Sequence, residues 1–158
     1  VMPVLLLRVK AELENVEKIE AAEDHTYAVR IKCTHCGEVS ENLSFLDESE
    51  EVDVPGGRGK AHLVQKCKFC GRMINIKIVS GSAKAYTNGG DFGDFVSFDC
   101  RGCELTEFAP QGSFVVTASS SGKTFAASDF AEDYAEYDED AGEPIGVYSF
   151  ESEFEVTK

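Results

Sequence analysis

Two matched units, Cys33-Thr34-His35-Cys36-Gly37 and Cys67-Lys68-Phe69-Cys70-Gly71, hold the residues of this chain best suited to chemistry. Two thiols spaced by two residues share one tight turn and can reach a common tetrahedral ion at ~2.3 Å each. The glycine after each unit tolerates the positive φ that a close turn requires, and N–H groups of the turn can point at the thiolates. Two such knuckles complete a shell, so Cys33, Cys36, Cys67 and Cys70 are predicted to hold one structural Zn2+. Four sulfurs leave no position for water, and a site closed in this way activates no nucleophile. Soft thiolates also suit iron or copper(I), which spacing alone does not separate from zinc.

Other candidates are weaker. His35 lies inside the first knuckle, but four sulfurs already suffice, so it is expected beside the site or exposed. Lys32, Lys66, Lys68 and Arg72 flank the knuckles and would offset a doubly negative zinc–thiolate centre. Between positions 55 and 78 there are six basic residues and no acidic one, a stretch that could meet RNA or an acidic protein. Cys100 and Cys103 share the Cys-x-x-Cys spacing of a redox dithiol, yet Cys100 continues the apolar face of Val96 and Phe98, which favours a buried thiol. Gly122-Lys123-Thr124 lacks the upstream glycine of a phosphate loop, since position 117 is Thr. The three histidines, His25, His35 and His62, assemble no Ser-His-Asp grouping.

The elements that must position the cysteines read as strands. Leu5, Leu7, Val9, Ala11 and Leu13 alternate with Leu6, Arg8, Lys10, Glu12 and Glu14, the two-residue period of a half-buried strand. Tyr27, Val29 and Ile31 repeat it into the first knuckle, and Ile74, Ile76 and Ile78 repeat it after the second. The 30 residues between Cys36 and Cys67 suffice for a strand, a turn and a returning strand as in a zinc ribbon, although the commoner spacing is ~15–20. Pro55-Gly56-Gly57-Arg58-Gly59 marks a chain reversal and Thr87-Asn88-Gly89-Gly90 a second turn. Val96, Phe98 and Cys100 mark a strand, as does Phe114-Val115-Val116. Tyr148, Phe150, Phe154 and Val156 oppose Glu151, Glu153 and Glu155 in a closing strand. From Asp129 to Glu143 eight acidic residues and no basic one suggest an exposed loop or short helix pinned by Phe130, Tyr134 and Tyr137.

The fold expected is mainly β: antiparallel sheets, sandwich or barrel-like, with a zinc-ribbon-like two-knuckle site and helix as the minor partner. At 158 residues one domain is expected over 1–158. Val29 to Cys36 and Val96 to Cys103 both read as a strand running into Cys-x-x-Cys, 67 positions apart, which suggests two similar halves, a zinc half 1–80 and an acidic half 81–158. Their net charges are −2 and −12 within a total of −14, a balance that disfavours nucleic acid overall. The opening Val1-Met2-Pro3-Val4-Leu5-Leu6-Leu7-Arg8 has four successive apolar residues after the proline, short of the ~7–15 of a signal peptide. No run reaches the ~20 of a spanning helix. Persistent thiols then imply a reducing compartment, the cytoplasm with access to the nucleus, and no membrane partner.

With the cysteines placed, the chain resembles the eukaryotic CXXC-motif-containing zinc-binding proteins. The resemblance is carried by the Leu-rich opening into Leu13-Glu14-Asn15, Lys32-Cys33 to Cys36-Gly37-Glu38, Gly56-Gly57-Arg58-Gly59, and Val64-Gln65-Lys66-Cys67-Lys68 with Cys70. Later come Cys100-Arg101-Gly102, Phe108 with Pro110-Gln111, Tyr137-Asp138-Glu139 and Gly146-Val147-Tyr148. It implies zinc on Cys33, Cys36, Cys67 and Cys70 and a mainly-β fold with two similar packed halves, and it supplies no reaction. It places a residue other than cysteine at position 103 and Trp at position 134. The functional expectation is a non-enzymatic structural zinc protein that binds other proteins as a monomer, through segment 129–143 or the basic stretch. The rivals are a thiol–disulfide reductase using Cys100 and Cys103, and an RNA-binding zinc ribbon using residues 55–78.

Overall fold

The computed structural model describes residues 4–57 and 59–157. Val1-Met2-Pro3 of the opening, Arg58 of the predicted reversal and Lys158 lie outside that set. Among the described residues every regular element is a strand. In chain order they are β1 (Val4–Glu14), β2 (Val16–Ala21), β3 (Thr26–Cys33), β4 (Ser44–Asp47), β5 (Val52–Asp53), β6 (Lys60–Ala61) and β7 (Leu63–Lys66). They continue as β8 (Met73–Ile78), β9 (Gly93–Arg101), β10 (Cys103–Ala109), β11 (Gln111–Ala118), β12 (Thr124–Asp129), β13 (Tyr134–Asp138) and β14 (Glu143–Thr157). All pair antiparallel, in a six-stranded sheet β13-β14-β1-β9-β8-β7, two three-stranded sheets β10-β3-β4 and β12-β11-β2, and the pair β5-β6. The sheets wrap one core as a half-barrel.

Period-two alternation places the core as expected. Leu5, Leu7, Val9 and Ala11 are buried on β1, Tyr27, Val29 and Ile31 on β3, Ile74, Ile76 and Ile78 on β8, and Val96, Phe98 and Cys100 on β9. One hydrophobic cluster runs from Leu5 through Ile78 to Val147. Stacked and tilted rings stiffen it: Phe114 lies 4.6 Å from Phe130, and Phe130 lies 5.6 Å from Phe150. Such pairs add ~0.5–1.5 kcal/mol each beyond the area they bury.

Three local expectations are corrected. Segment 129–143 is neither loop nor helix through its middle: β13 pairs with the start of β14, Tyr134 opposite Val147 and Asp138 opposite Glu143. Pairing to a strong neighbour overrides the poor strand propensity of acidic residues, and charges suit a sheet edge because they discourage further pairing. Asp138 is fully buried there, accepting from Ser121 Oγ at 2.6 Å and from the N–H groups of Asp140 and Ala141. On β14 the most buried residues are Ile145 and Val147, while Val156 is exposed. The register slips between Lys10 and Glu12, where Ser149 adopts φ 55°, so the inward face changes parity and passes to Phe150 and Phe154. Finally, the chain between the knuckles does not follow a simple ribbon. It forms β4 beside β3, then the β5–β6 hairpin across the predicted Pro55–Gly59 reversal, then β7 beside β8.

Candidate metal centre

The two knuckles stand on different sheets. The first follows β3 in the three-stranded sheet, and the second joins β7 to β8 in the six-stranded sheet. Each is built identically. Gly37 and Gly71, at φ 81° and 75°, donate to the carbonyls of Cys33 and Cys67, both at 2.9 Å. The Cys33 and Cys67 N–H groups donate back to Glu38 and Arg72, again at 2.9 Å. The positive φ turns the chain back on itself, so each loop closes with its two sulfurs on one side.

Among the described residues Cys33, Cys36, Cys67 and Cys70 form the one group of ligating side chains close enough to share a metal ion, with all four sulfurs within 4.8 Å of one another. Cys33 Sγ lies 3.7 Å from Cys70 Sγ, and Cys36 Sγ lies 3.6 Å from Cys67 Sγ. A tetrahedron with ~2.3 Å bonds has edges of ~3.8 Å, so the cluster fits one structural Zn2+. His35 is exposed and outside this group.

Local electrostatics divides the sulfurs when no cation is considered. The N–H groups of Cys36 and His35 lower the Cys33 thiol, and those of Cys70 and Phe69 hold Cys67 down at about 7. At Cys36 the Glu38 N–H favours the thiolate, but burial and the neighbouring sulfurs outweigh it and push the thiol up to about 12. Cys70 is likewise raised, the Arg72 N–H being outweighed by burial and by the Cys33 and Cys67 sulfurs. Four adjacent thiols cannot all ionise unaided, whereas a dication deprotonates all of them.

Cys100 and Cys103 lie just beneath. β9 passes into β10 through Gly102 at φ 78°, and Gly102 sits between the knuckle strands. Its carbonyl accepts from Thr34 N–H of the first knuckle at 3.2 Å, and a Cβ on it would approach the Met73 carbonyl of β8 to 2.9 Å. Cys103 pairs with Cys33 and Cys100 with Ile76. Both thiols are buried, and Cys100 is pushed well up by its hydrogen bond to Cys103, by burial, and by Cys103, Asp99 and Glu104 as nearby negative groups.

Of the flanking cations, Lys32 pairs with Glu104 at 3.6 Å, while among the described residues Lys66, Lys68 and Arg72 form no ion pair. Sequence reasoning missed a cleft of about 470 Å³ beside the knuckles, between residues 38–44 and β7 with the second knuckle. The available signal was Phe69, 69 % exposed, an aromatic residue inside a knuckle and next to Lys68.

Comparison with known proteins agrees with this geometry. A family model described as "CXXC motif containing zinc binding protein, eukaryotic" matches residues 6–155. The chain is 38 % identical to the CXXC motif containing zinc binding protein of Bos taurus over 94 % of this chain and 95 % of that protein. It is 36 % identical to the Homo sapiens protein of that name over 95 % and 96 %. Among solved structures, the crystal structure of C1orf123 superposes with a TM-score of 0.91 at 34 % identity, covering 98 % of this chain and 99 % of that one. A hypothetical protein from Plasmodium falciparum superposes with a TM-score of 0.87 at 25 % identity, over 96 % and 99 %. A sheet-bridging four-cysteine cluster, a family match along nearly the whole chain and relatives covered along nearly their whole length place this chain in the eukaryotic CXXC-motif-containing zinc-binding protein family.

Proposed function

We propose that the protein is a non-catalytic, zinc-stabilised interaction module that works as a monomer in the cytoplasm and binds other proteins. The observation that carries this reading is a closed four-sulfur cluster joining two sheets. Its sulfurs fill a tetrahedron, so the metal has no vacancy for substrate or water, and its position suits it to fixing the sheets that flank a surface cleft. A reactive cysteine is exposed and has a lowered pKa; Cys100 is buried with a raised one, which counts against the reductase reading.

The test is affinity capture from cytosol with zinc-loaded protein, compared with the Cys67→Ala variant. The reading expects a stoichiometric protein complex that survives purification with the loaded form and is lost with the variant. Turnover of a disulfide substrate that is abolished by alkylating Cys100 in the native protein would reject it in favour of a reductase.

A further inference from the structure

The cleft beside the zinc cluster has the features of a strand-accepting groove. Its floor is apolar and buried, formed by Ile31 of β3 and Ile74 of β8 next to Cys33 and Cys67. Its rim carries two exposed apolar side chains, Val39 at 41 % and Phe69 at 69 %. Singly exposed apolar residues are ordinary; two lining one apolar trough are a candidate contact site.

One flank carries a strand edge, and the other is the segment 38–43 leading into β4. β7 ends the six-stranded sheet and β4 ends a three-stranded one. Cys67 N–H bonds Arg72, and Gln65 stands opposite Ile74. In an antiparallel ladder the main-chain groups alternate sides, so Lys66, which lines the cleft, turns its N–H and C=O groups away from β8. On the facing wall the carbonyls of Ser40 and Glu41 are already taken by Arg30 Nη1, at 2.9 and 2.7 Å. Main-chain pairing is therefore left to β7.

Charge narrows the occupant. In a chain of net charge −14, Lys66, Lys68 and Arg72 surround the second knuckle with no carboxylate partner among the described residues, and the sequence from 55 to 78 has no acidic residue. Side chains on a strand beside β7 would meet Lys66 as a cross-strand neighbour, where opposite charges stabilise, with Lys68 just beyond the end of the strand.

From these observations, and resting on the interaction-module reading above, we infer that the cleft binds an extended segment of a partner protein as a strand added to β7. Apolar side chains of the segment face Ile31 and Ile74, and alternate acidic side chains lie beside Lys66 and Lys68. This is recognition by strand addition, in which main-chain bonds supply affinity and alternate side chains supply specificity. RNA fits less well: phosphates only accept hydrogen bonds and would leave the outward carbonyl of Lys66 unmatched, and Glu38 and Glu41 on the opposite lip repel them.

The test is selection from a displayed library of random nine-residue peptides on zinc-loaded protein. The expected winners alternate apolar residues with Asp or Glu. Gln65→Trp, which fills the cleft without changing charge, should weaken them at least tenfold, and Lys66→Glu with Lys68→Glu should do the same and redirect selection toward Lys and Arg. Zinc content and melting temperature of each variant check folding. The charge reversals alter only exposed side chains, so they decide the matter if Gln65→Trp does not fold. No enrichment, winners without acidic residues, or binding unchanged by the charge reversal would overturn the inference, as would retention of a 20-nucleotide RNA lost on that reversal. A cytosolic complex captured equally by wild type and by Lys66→Glu/Lys68→Glu would remove the cleft as the site while leaving the interaction-module reading intact.

Discussion

The zinc knuckles and the Cys100–Cys103 turn share a spacing and meet opposite fates, and the position of one glycine separates them. In each knuckle the glycine follows the second cysteine, at Gly37 and Gly71, and its positive φ bends the chain back after both sulfurs have been presented. In the third pair the glycine falls inside the motif, at Gly102. There the chain turns between the cysteines and runs on into β10, so each sulfur stays on a buried strand face. One arrangement offers thiolates to a cation. The other fills the core and passes the chain from the sheet of one knuckle to the sheet of the other.

Variants can break this contrast, and the largest effect belongs to the knuckles. Cys67→Ala removes a ligand whose site links two sheets, and structural zinc contributes ~10 kcal/mol of folding free energy in such sites. The variant is expected to lose its metal and its cooperative thermal transition. Cys100→Ala, by comparison, leaves a small cavity costing roughly 1–3 kcal/mol, and it should melt lower while keeping its zinc. Calorimetry with metal analysis reads both.

Gly102→Ala sharpens the comparison further. A left-handed backbone costs a side chain about 1–2 kcal/mol, and the added Cβ meets the Met73 carbonyl at 2.9 Å. The same change at Gly37 or Gly71 meets nothing within 4 Å, so it carries the backbone cost alone. Denaturant melts should rank Gly102→Ala as the more damaging; equal losses would refute the wedge between sheets.

A smaller effect lies far from the cysteines. His25 is buried with Nδ1 2.8 Å from the Ser113 carbonyl and Nε2 without a partner among the described residues. Burial lowers its pKa from the ordinary 6.5, against the raising influence of Ser113 and Asp24. The unfolded chain takes up a proton that the folded protein resists, so this contribution is complete above pH 6.5 and is lost as pH falls below it. His25→Gln should flatten the fall in stability below pH 6.5. The smallest expected effect is Tyr148→Phe, which removes an exposed bond from Tyr148 Oη to Glu14 Oε1 at 2.7 Å and should cost under ~1 kcal/mol by urea melts.

Much of this architecture is legible in the residues. Alternation fixes the buried faces of β1, β3, β8 and β9, because a period of two has one physical solution when a single face meets the core. The doubled Cys-x-x-Cys-Gly unit identifies the four sulfurs that the fold brings together. What stays hidden depends on partners distant in sequence. β13 exists because β14 offers it an edge, and Asp138 is buried because Ser121 and two N–H groups satisfy it. The parity change on β14 follows from one backbone angle at Ser149. That the knuckles sit on separate sheets, with a cleft between their flanks, depends on the excursion through β4 to β7, which local pattern does not encode.

Two of the three like-spaced pairs are expected to hold one metal and the third none. Zinc per chain, measured by elemental analysis of wild type, Cys67→Ala and Cys100→Ser/Cys103→Ser, tests it most directly. The expected values are one, none and one. Zinc retained in full by Cys67→Ala, or lost only when Cys100 and Cys103 are replaced, would contradict it.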